Sequence, residues 1–285
     1  MNRYQVEKVF KLLTFLSFLV VMFSLIIIIV ITLIKGGGVL LGNPALVITP
    51  PGPKYLLGGK GGFLHALLGS IYLVLPATLL AITLALLIAS YLQTDYLKRS
   101  YANKIRVLLE ILWGTPSIVL GIFVMTILVF IKQRGSLLAG IMALTLLELP
   151  IITRYTDEAI SSVPNNLKEA VYSMGTTKLE SSLVVIRYAL PGIVAGVLIG
   201  LGRGIGDAAT IIFTAGSSSS MPQGLFDSVT ALPILIFQQA SAFHAKVRAD
   251  AYAASFVLLV IIIILNVLSR LSIKYFSRYI QDKGN

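Results

Sequence analysis

Arg203 and Asp207 are the pair best placed to do chemistry in this 285-residue chain. They stand four apart inside "GVLIGLGRGIGDAAT", part of an apolar run long enough to cross a bilayer. A charge at the membrane centre costs ~2.5–3.5 kcal/mol or more, so neither residue is expected to face lipid. At ~100° per residue, Gly192, Gly196, Gly200 and Gly204 form one stripe on a helix. This chained G-x-x-x-G pattern admits a neighbouring helix closely, and Arg203 and Asp207 fall within the same stripe. Two roles follow. The charges form a neutralised pair that locks the helix against a neighbour, or they line a path in which Arg203 offers a cation to an anion. Intramembrane ionisable groups are functional by default, which favours the path.

A second set flanks Pro116 in "LWGTPSIVLGIF". A proline inside a membrane helix frees backbone groups that then need partners in a cavity or a neighbour. Thr115 and Ser117 are therefore either path residues or bystanders of a kink. Glu110 and Glu148 are expected near the cytoplasmic ends of their spans, reaching the interface, and Trp113 fits an interfacial belt. Other chemistries find no residues to carry them. The chain has no cysteine, and its two histidines, His65 and His244, are far apart in sequence, so neither thiol chemistry nor a clustered metal site is expected. "GGKGG" at 58–62 lacks the spacing and hydroxyl of a phosphate-binding P-loop. "GIGDAA" at 204–209 fits a loose dinucleotide pattern but follows no strand.

The elements that must position these residues are membrane helices. The chain is 56% hydrophobic and only 12% charged, against about a quarter charged in soluble domains. Six apolar stretches reach the ~20 residues a bilayer core requires, at about 12–34, 66–92, 107–131, 136–153, 190–216 and 251–273. The first is too long for a cleaved signal and is followed by a glycine loop, "KGGGVLLGNP". With the N-terminus inside, fifteen of the 23 lysines and arginines fall on inner segments and seven on outer ones, Arg203 being the remaining one. Both termini are therefore expected in the cytoplasm. That bias accounts for the net charge of +11, so no nucleic-acid partner is expected. The outer loops at about 35–65 and 217–250 are rich in Gly, Pro and Ser. The second is apolar enough to lie on the membrane or dock a partner.

Between the fourth and fifth spans lies the most structured loop, about 154–189. Asn166 and Glu169 read as a capping box opening one helix, and Thr177 with Glu180 as a box opening a second. Leu167, Ala170, Val171 and Met174 recur on one face, and Gly175 is placed as the stop. The stripe either packs on the chain's own spans or fills a groove on another subunit.

"EAVYSMG" in this loop resembles the EAA loop of ABC-transporter permeases. "LWGTPSIVLGIF", "LPIITRYTDEAISSVP", "GRGIGDAATIIFTAG" and "LPILIFQ…LN" are similar to the phosphate-specific, PstA-type members. The resemblance covers about residues 65–270. It implies an all-α integral membrane protein of type I importer architecture with six transmembrane helices, residues 1–65 forming an N-terminal span and outer loop and 66–285 the permease core. It further implies that Glu169, Ala170 and Gly175 couple to an ATPase, with Val171 replacing the motif's second alanine. The family's R-x-x-G-E is matched by Arg203, Gly206 and Asp207, the aspartate being shorter. The usual Leu-Pro falls late, at Leu190–Pro191, leaving Arg187–Tyr188 at its place. The implied function is ATP-driven import of inorganic phosphate by alternating access. The chain itself is then no enzyme and binds no cofactor, since ATP and magnesium belong to a partner ABC subunit. The other implied partners are a second permease of the PstC type, an extracytoplasmic phosphate-binding protein and membrane lipid, in a prokaryotic inner membrane. Sulfate, molybdate or phosphonate import, a passive anion channel, or a structural membrane subunit would use the same residues.

Overall fold

The computed structural model describes residues 3–53, 55–93 and 95–282, and among them the chain is helical with no strand. Lys54 and Lys283, counted in the charge bias, lie outside the described residues. α1 (Arg3–Ile31) runs through a π-helical turn, Thr32–Gly36, into α2 (Gly37–Gly42). α3 (Leu64–Tyr91), α4 (Arg99–Gly114), α5 (Ser117–Phe130), α6 (Leu137–Ser161) and α7 (Asn165–Ser173) follow. The chain continues as α8 (Lys178–Ile205), the single turn α9 (Ile211–Thr214), α10 (Leu232–Ala240) and α11 (Ala245–Asp282). Five helices are long and apolar enough to span a membrane, and a sixth span results if the bent pair α4–α5 counts as one.

α6 is the axis of the bundle. It packs on α3 along one side and α8 along the other, and 72% of its most apolar window is buried. Leu144, Leu147 and Ile141 meet Leu73, Ala77, Ile205 and Ile211 in the main core cluster. The corresponding window of the first span is 0% buried, and among the described residues the span meets the body chiefly where its far end, from Thr32 to Gly42, rests on α11.

Several boundaries differ from expectation, each for a local reason. The "KGGGVLLG" stretch is helical rather than a loop, because Gly36 seats the span against α11: a Cβ there would lie 2.3 Å from the Tyr252 carbonyl oxygen. The third span is not continuous. Thr115 and Pro116 separate α4 from α5, and the two helices meet at 96°. Proline supplies no N–H and disfavours helix in the residue before it, so the chain turns there. The fourth span continues past Thr153 to Ser161. The second cytoplasmic helix and the fifth span are one helix, α8, with Pro191 inside it. α8 then stops at Ile205 instead of reaching residue 216. The outer stretch about α10 packs on its own chain: Leu232, Ile234 and Leu235 are buried against α3 and α11.

Candidate functional site

The four glycines of the stripe face α6. A Cβ at Gly192 would approach Ala159 to 2.7 Å, at Gly196 Tyr155 to 2.3 Å, at Gly200 Ile152 to 2.6 Å, and at Gly204 the Glu148 carboxylate to under 2 Å. All four contacts lie on α6, so α8 and α6 are seated backbone to side chain along four successive turns.

The charges do not share that stripe. Arg203 is exposed and has no carboxylate partner among the described residues. The helix ends between the two charges. Gly206 is the C-cap of α8, and three glycines in five residues (202, 204, 206) weaken the helix at its end. Asp207 opens the next turn. Its Oδ1 accepts the Thr210 backbone N–H at 2.7 Å, and the Ile212 N–H returns to the Ala208 carbonyl at 3.0 Å. This is N-cap geometry, with the carboxylate satisfying the third amide after it. The pairing of Arg203 with Asp207, one of the two roles considered, is absent among the described residues, and a capped break at 206–210 stands in its place.

That break meets the other one. The Thr210 hydroxyl donates to the Ser117 carbonyl at 3.1 Å, and a Cβ on Gly121 would lie 2.7 Å from the Thr210 carbonyl oxygen. Ser117, Thr210 and Asp207 are therefore joined in one polar junction, where α5 begins and α8 ends. Thr115 sits in the bend but spends its hydroxyl on the Ile111 carbonyl at 2.8 Å. It makes no hydrogen bond to Arg203 or Asp207. Discontinuous helices of this kind present a helix start and freed backbone groups inside the membrane.

Sequence reasoning misplaced Glu148. It is fully buried near the middle of α6, its Oε2 accepting the Thr78 hydroxyl of α3 at 2.7 Å. Its partner lies seventy residues away, so no local signal announced it; the nearest hint was a carboxylate in the middle of an apolar run. Glu110 is held by Arg154, which also stacks over Trp113 at 5.9 Å. Beside them Arg106 forms a bidentate pair with Asp157 (2.7 and 3.0 Å), which also accepts from Gln93 at 3.0 Å. Arg106, Glu110, Arg154 and Asp157 line a cleft of about 200 Å³ between α4 and α6.

At the cytoplasmic loop the second capping box is present: the Thr177 hydroxyl accepts the Glu180 amide, and the Glu180 carboxylate accepts the Thr177 N–H at 2.8 Å. The first is not. α7 starts two residues early, at Asn165, with Pro164 as its cap in place of Asn166 and no side-chain hydrogen bond, which shifts Asn166 and Glu169 out of register. Gly175 ends α7 at φ +78°, with nothing near its missing Cβ. The apolar stripe divides. Val171 is buried and Leu167 packs beside Val163 and Val185, whereas Ala170 and Met174 stay exposed with Leu179 and Leu183 nearby on α8. Glu169, Ala170 and Gly175 all lie on this exposed side of the loop.

Comparison with known proteins gives consistent matches. Residues 81–282 match the family described as binding-protein-dependent transport system inner membrane component. The phosphate transport system permease protein PstA of Pasteurella multocida is 33% identical, over 92% of this chain and 93% of the relative. A probable PstA of Methanocaldococcus jannaschii is 32% identical over 80% and 82%. Among solved structures, a chain of the MetNI methionine ABC transporter, in inward-facing conformations, superposes with a TM-score of 0.60. It is 17% identical and the match covers 75% of this chain and 95% of that one, a likeness of fold.

Proposed function

Because this chain belongs to the inner membrane components of binding-protein-dependent transport systems, we propose that it is the permease subunit of an ATP-driven importer of inorganic phosphate. The observation that carries the substrate is the likeness to PstA permeases at about a third identity over nearly the whole of both chains. Hydrolysis of ATP with magnesium falls to a partner ABC subunit. A second permease of a different chain closes the path, an extracytoplasmic binding protein delivers phosphate, and both termini lie in the cytoplasm.

The geometry supports a division of labour along α8. Its cytoplasmic start stands beside the exposed surface of Ala170, Met174 and Leu179, apolar area that a partner's groove would cover. Its other end is the capped break beside Ser117. Between them lie 28 residues of unbroken helix, about 42 Å at 1.5 Å per residue. Movement of the coupling loop around Glu169 and Gly175 is thereby carried to the break as a rigid displacement. Arg203, exposed just before the break and without a counter-ion among the described residues, supplies a cation to a passing oxyanion, as a charge-assisted donor.

The test is ATP-dependent phosphate uptake by the reconstituted complex of this chain with its ATPase, partner permease and binding protein. Arg203→Gln is expected to lower uptake at least tenfold while ATPase association persists, and Gly175→Asp to lower association and coupling together. Full uptake in Arg203→Gln would remove Arg203 from the path. Anion flux through liposomes holding this chain alone would replace the importer with a channel.

A further inference from the structure

At the end of the molecule opposite the coupling loop, two cations stand without carboxylate partners among the described residues, beside one cavity. Lys35 lies within the longest apolar stretch of the chain, Glu7–Gly42, in the π-helical turn Thr32–Gly36. π-turns inside helices frequently mark functional sites, and here the turn has an identifiable consequence. Gly36 docks against the Tyr252 backbone, and the adjoining Lys35 ammonium sits 5.0 Å over the Tyr252 ring. One turn before Tyr252 on α11, Arg248 is pinned by its own loop: Nη1 donates to the carbonyls of Ala242 (2.7 Å) and Phe243 (2.9 Å). Its Nε and Nη2 make no hydrogen bond among the described residues. Lys35, Arg248, Tyr252 and Ser255 border one cavity of about 240 Å³, whose remaining wall is apolar (Ile236, Ala240, Ala251).

Local acids do not answer these charges. Asp250 is buried, two residues from Arg248 and so on another face of α11, and Asp227 is occupied by the backbone amides of Gln223 and Gly224. An oriented guanidinium with two free donor nitrogens suits a phosphate, a neighbouring ammonium adds a point charge, and both side chains have apolar stems that can lie along lipid. The surroundings select the source: Ile34 and Leu33 are exposed beside Lys35, where acyl chains would run.

We propose that Lys35 and Arg248 hold a phosphate group at the membrane surface, that of a phospholipid head group, which fastens the first span to α11. The span has little else holding it to this chain, so a bound lipid would complete the contact begun by Gly36. The site stands independently of what the transporter carries.

The test uses the full chain in phosphatidylcholine nanodiscs doped with phosphatidylglycerol carrying a photoreactive acyl chain, with cross-links mapped by mass spectrometry. Labelling is expected to concentrate on residues 32–42 and 245–256. Lys35→Gln with Arg248→Gln is expected to weaken it about 30-fold, roughly fivefold for each surface cation removed. Labelling of the bare α1 face serves as the internal standard and is expected to stay constant, which separates loss of the site from loss of fold. A photoreactive diacylglycerol, lacking phosphate, is expected to leave the site unlabelled. Displacement of the lipid by inorganic phosphate would keep the phosphate site and assign its ligand to solution. Equal labelling of wild type and double variant, or of diacylglycerol and phosphatidylglycerol, would overturn the proposal.

Discussion

The two ends of α8 are built by opposite means. At Lys178 the helix begins on a reciprocal capping box, with a lysine that reaches across to the Asp95 carbonyl at 2.9 Å. At Ile205 it ends because glycines thin its propensity and a new turn, capped by Asp207, takes over. One end is held by a capping box within four residues of sequence and by one long-range bond to the Asp95 carbonyl. The other is held by the glycine seam on α6 and runs into the break that meets α5. On the function proposed above, the first would be the handle where force enters and the second the backbone free to reshape where substrate passes.

The sharpest way to break this contrast is to disturb the seam that fixes the far half of α8. Gly196 faces the Cβ of Tyr155, which has no freedom to move away. Gly196→Leu must push α8 from α6 and is expected to cost about 3 kcal/mol, the upper end of overpacking penalties. A drop in the thermal midpoint of the solubilised protein measures it. An unchanged midpoint would mean that the helices are not seated as described.

Next comes Glu148, which ties α6 to α3 at the level of Gly204. Glu148→Leu leaves the Thr78 hydroxyl buried without its acceptor, an expected loss of about 2 kcal/mol. Glu148→Gln keeps an acceptor and is expected to cost less than about 1 kcal/mol. If leucine were tolerated as well as glutamine, the hydrogen bond would contribute nothing and only shape would matter.

These sites differ in how far the sequence revealed them. Gly175 and the Thr177–Glu180 box were legible because caps are decided within four residues. The stripe from Gly192 to Gly204 was legible because a period of four on a helix fixes a face. Arg203 and Asp207 were misread because the helix was carried through Gly206. The three-residue step from Asp207 to Thr210, a cap spacing, was the available signal. Glu148 was beyond reach, since nothing near it in sequence foretells Thr78. The bend at Pro116 was legible as an interruption, but its 96° angle was not, because α5 packs on the 206–210 break, far away in sequence.

Smaller effects belong to the handle. Thr177→Ala removes one side of the box and is expected to cost about 1 kcal/mol. Because the box satisfies only the first turn of α8, the loss is local. Faster amide exchange at residues 178–181, with the thermal midpoint barely moved, is the expected result. A large global loss would mean that the coupling end is stabilised cooperatively with the seam.

The smallest effect is the most discriminating, since it separates the stripe from the glycines around it. Gly202 lies two residues from Gly200 and two from Gly204, on the same helix and in the same apolar surroundings. Yet nothing stands within 4 Å of where its Cβ would be. Composition alone cannot tell it from its neighbours; only the helical phase does. Alanine there meets no steric obstacle and lowers the backbone freedom lost on folding, so Gly202→Ala is expected to stabilise α8 by up to about 1 kcal/mol. Gly200→Ala, whose Cβ would press on Ile152 at 2.6 Å, is expected to destabilise by a similar amount. Opposite signs from two identical substitutions, read as thermal midpoints, would fix which face of α8 meets α6. Equal signs would mean that glycine serves flexibility along this whole stretch, and the contrast between the two ends of α8 would lose its structural basis.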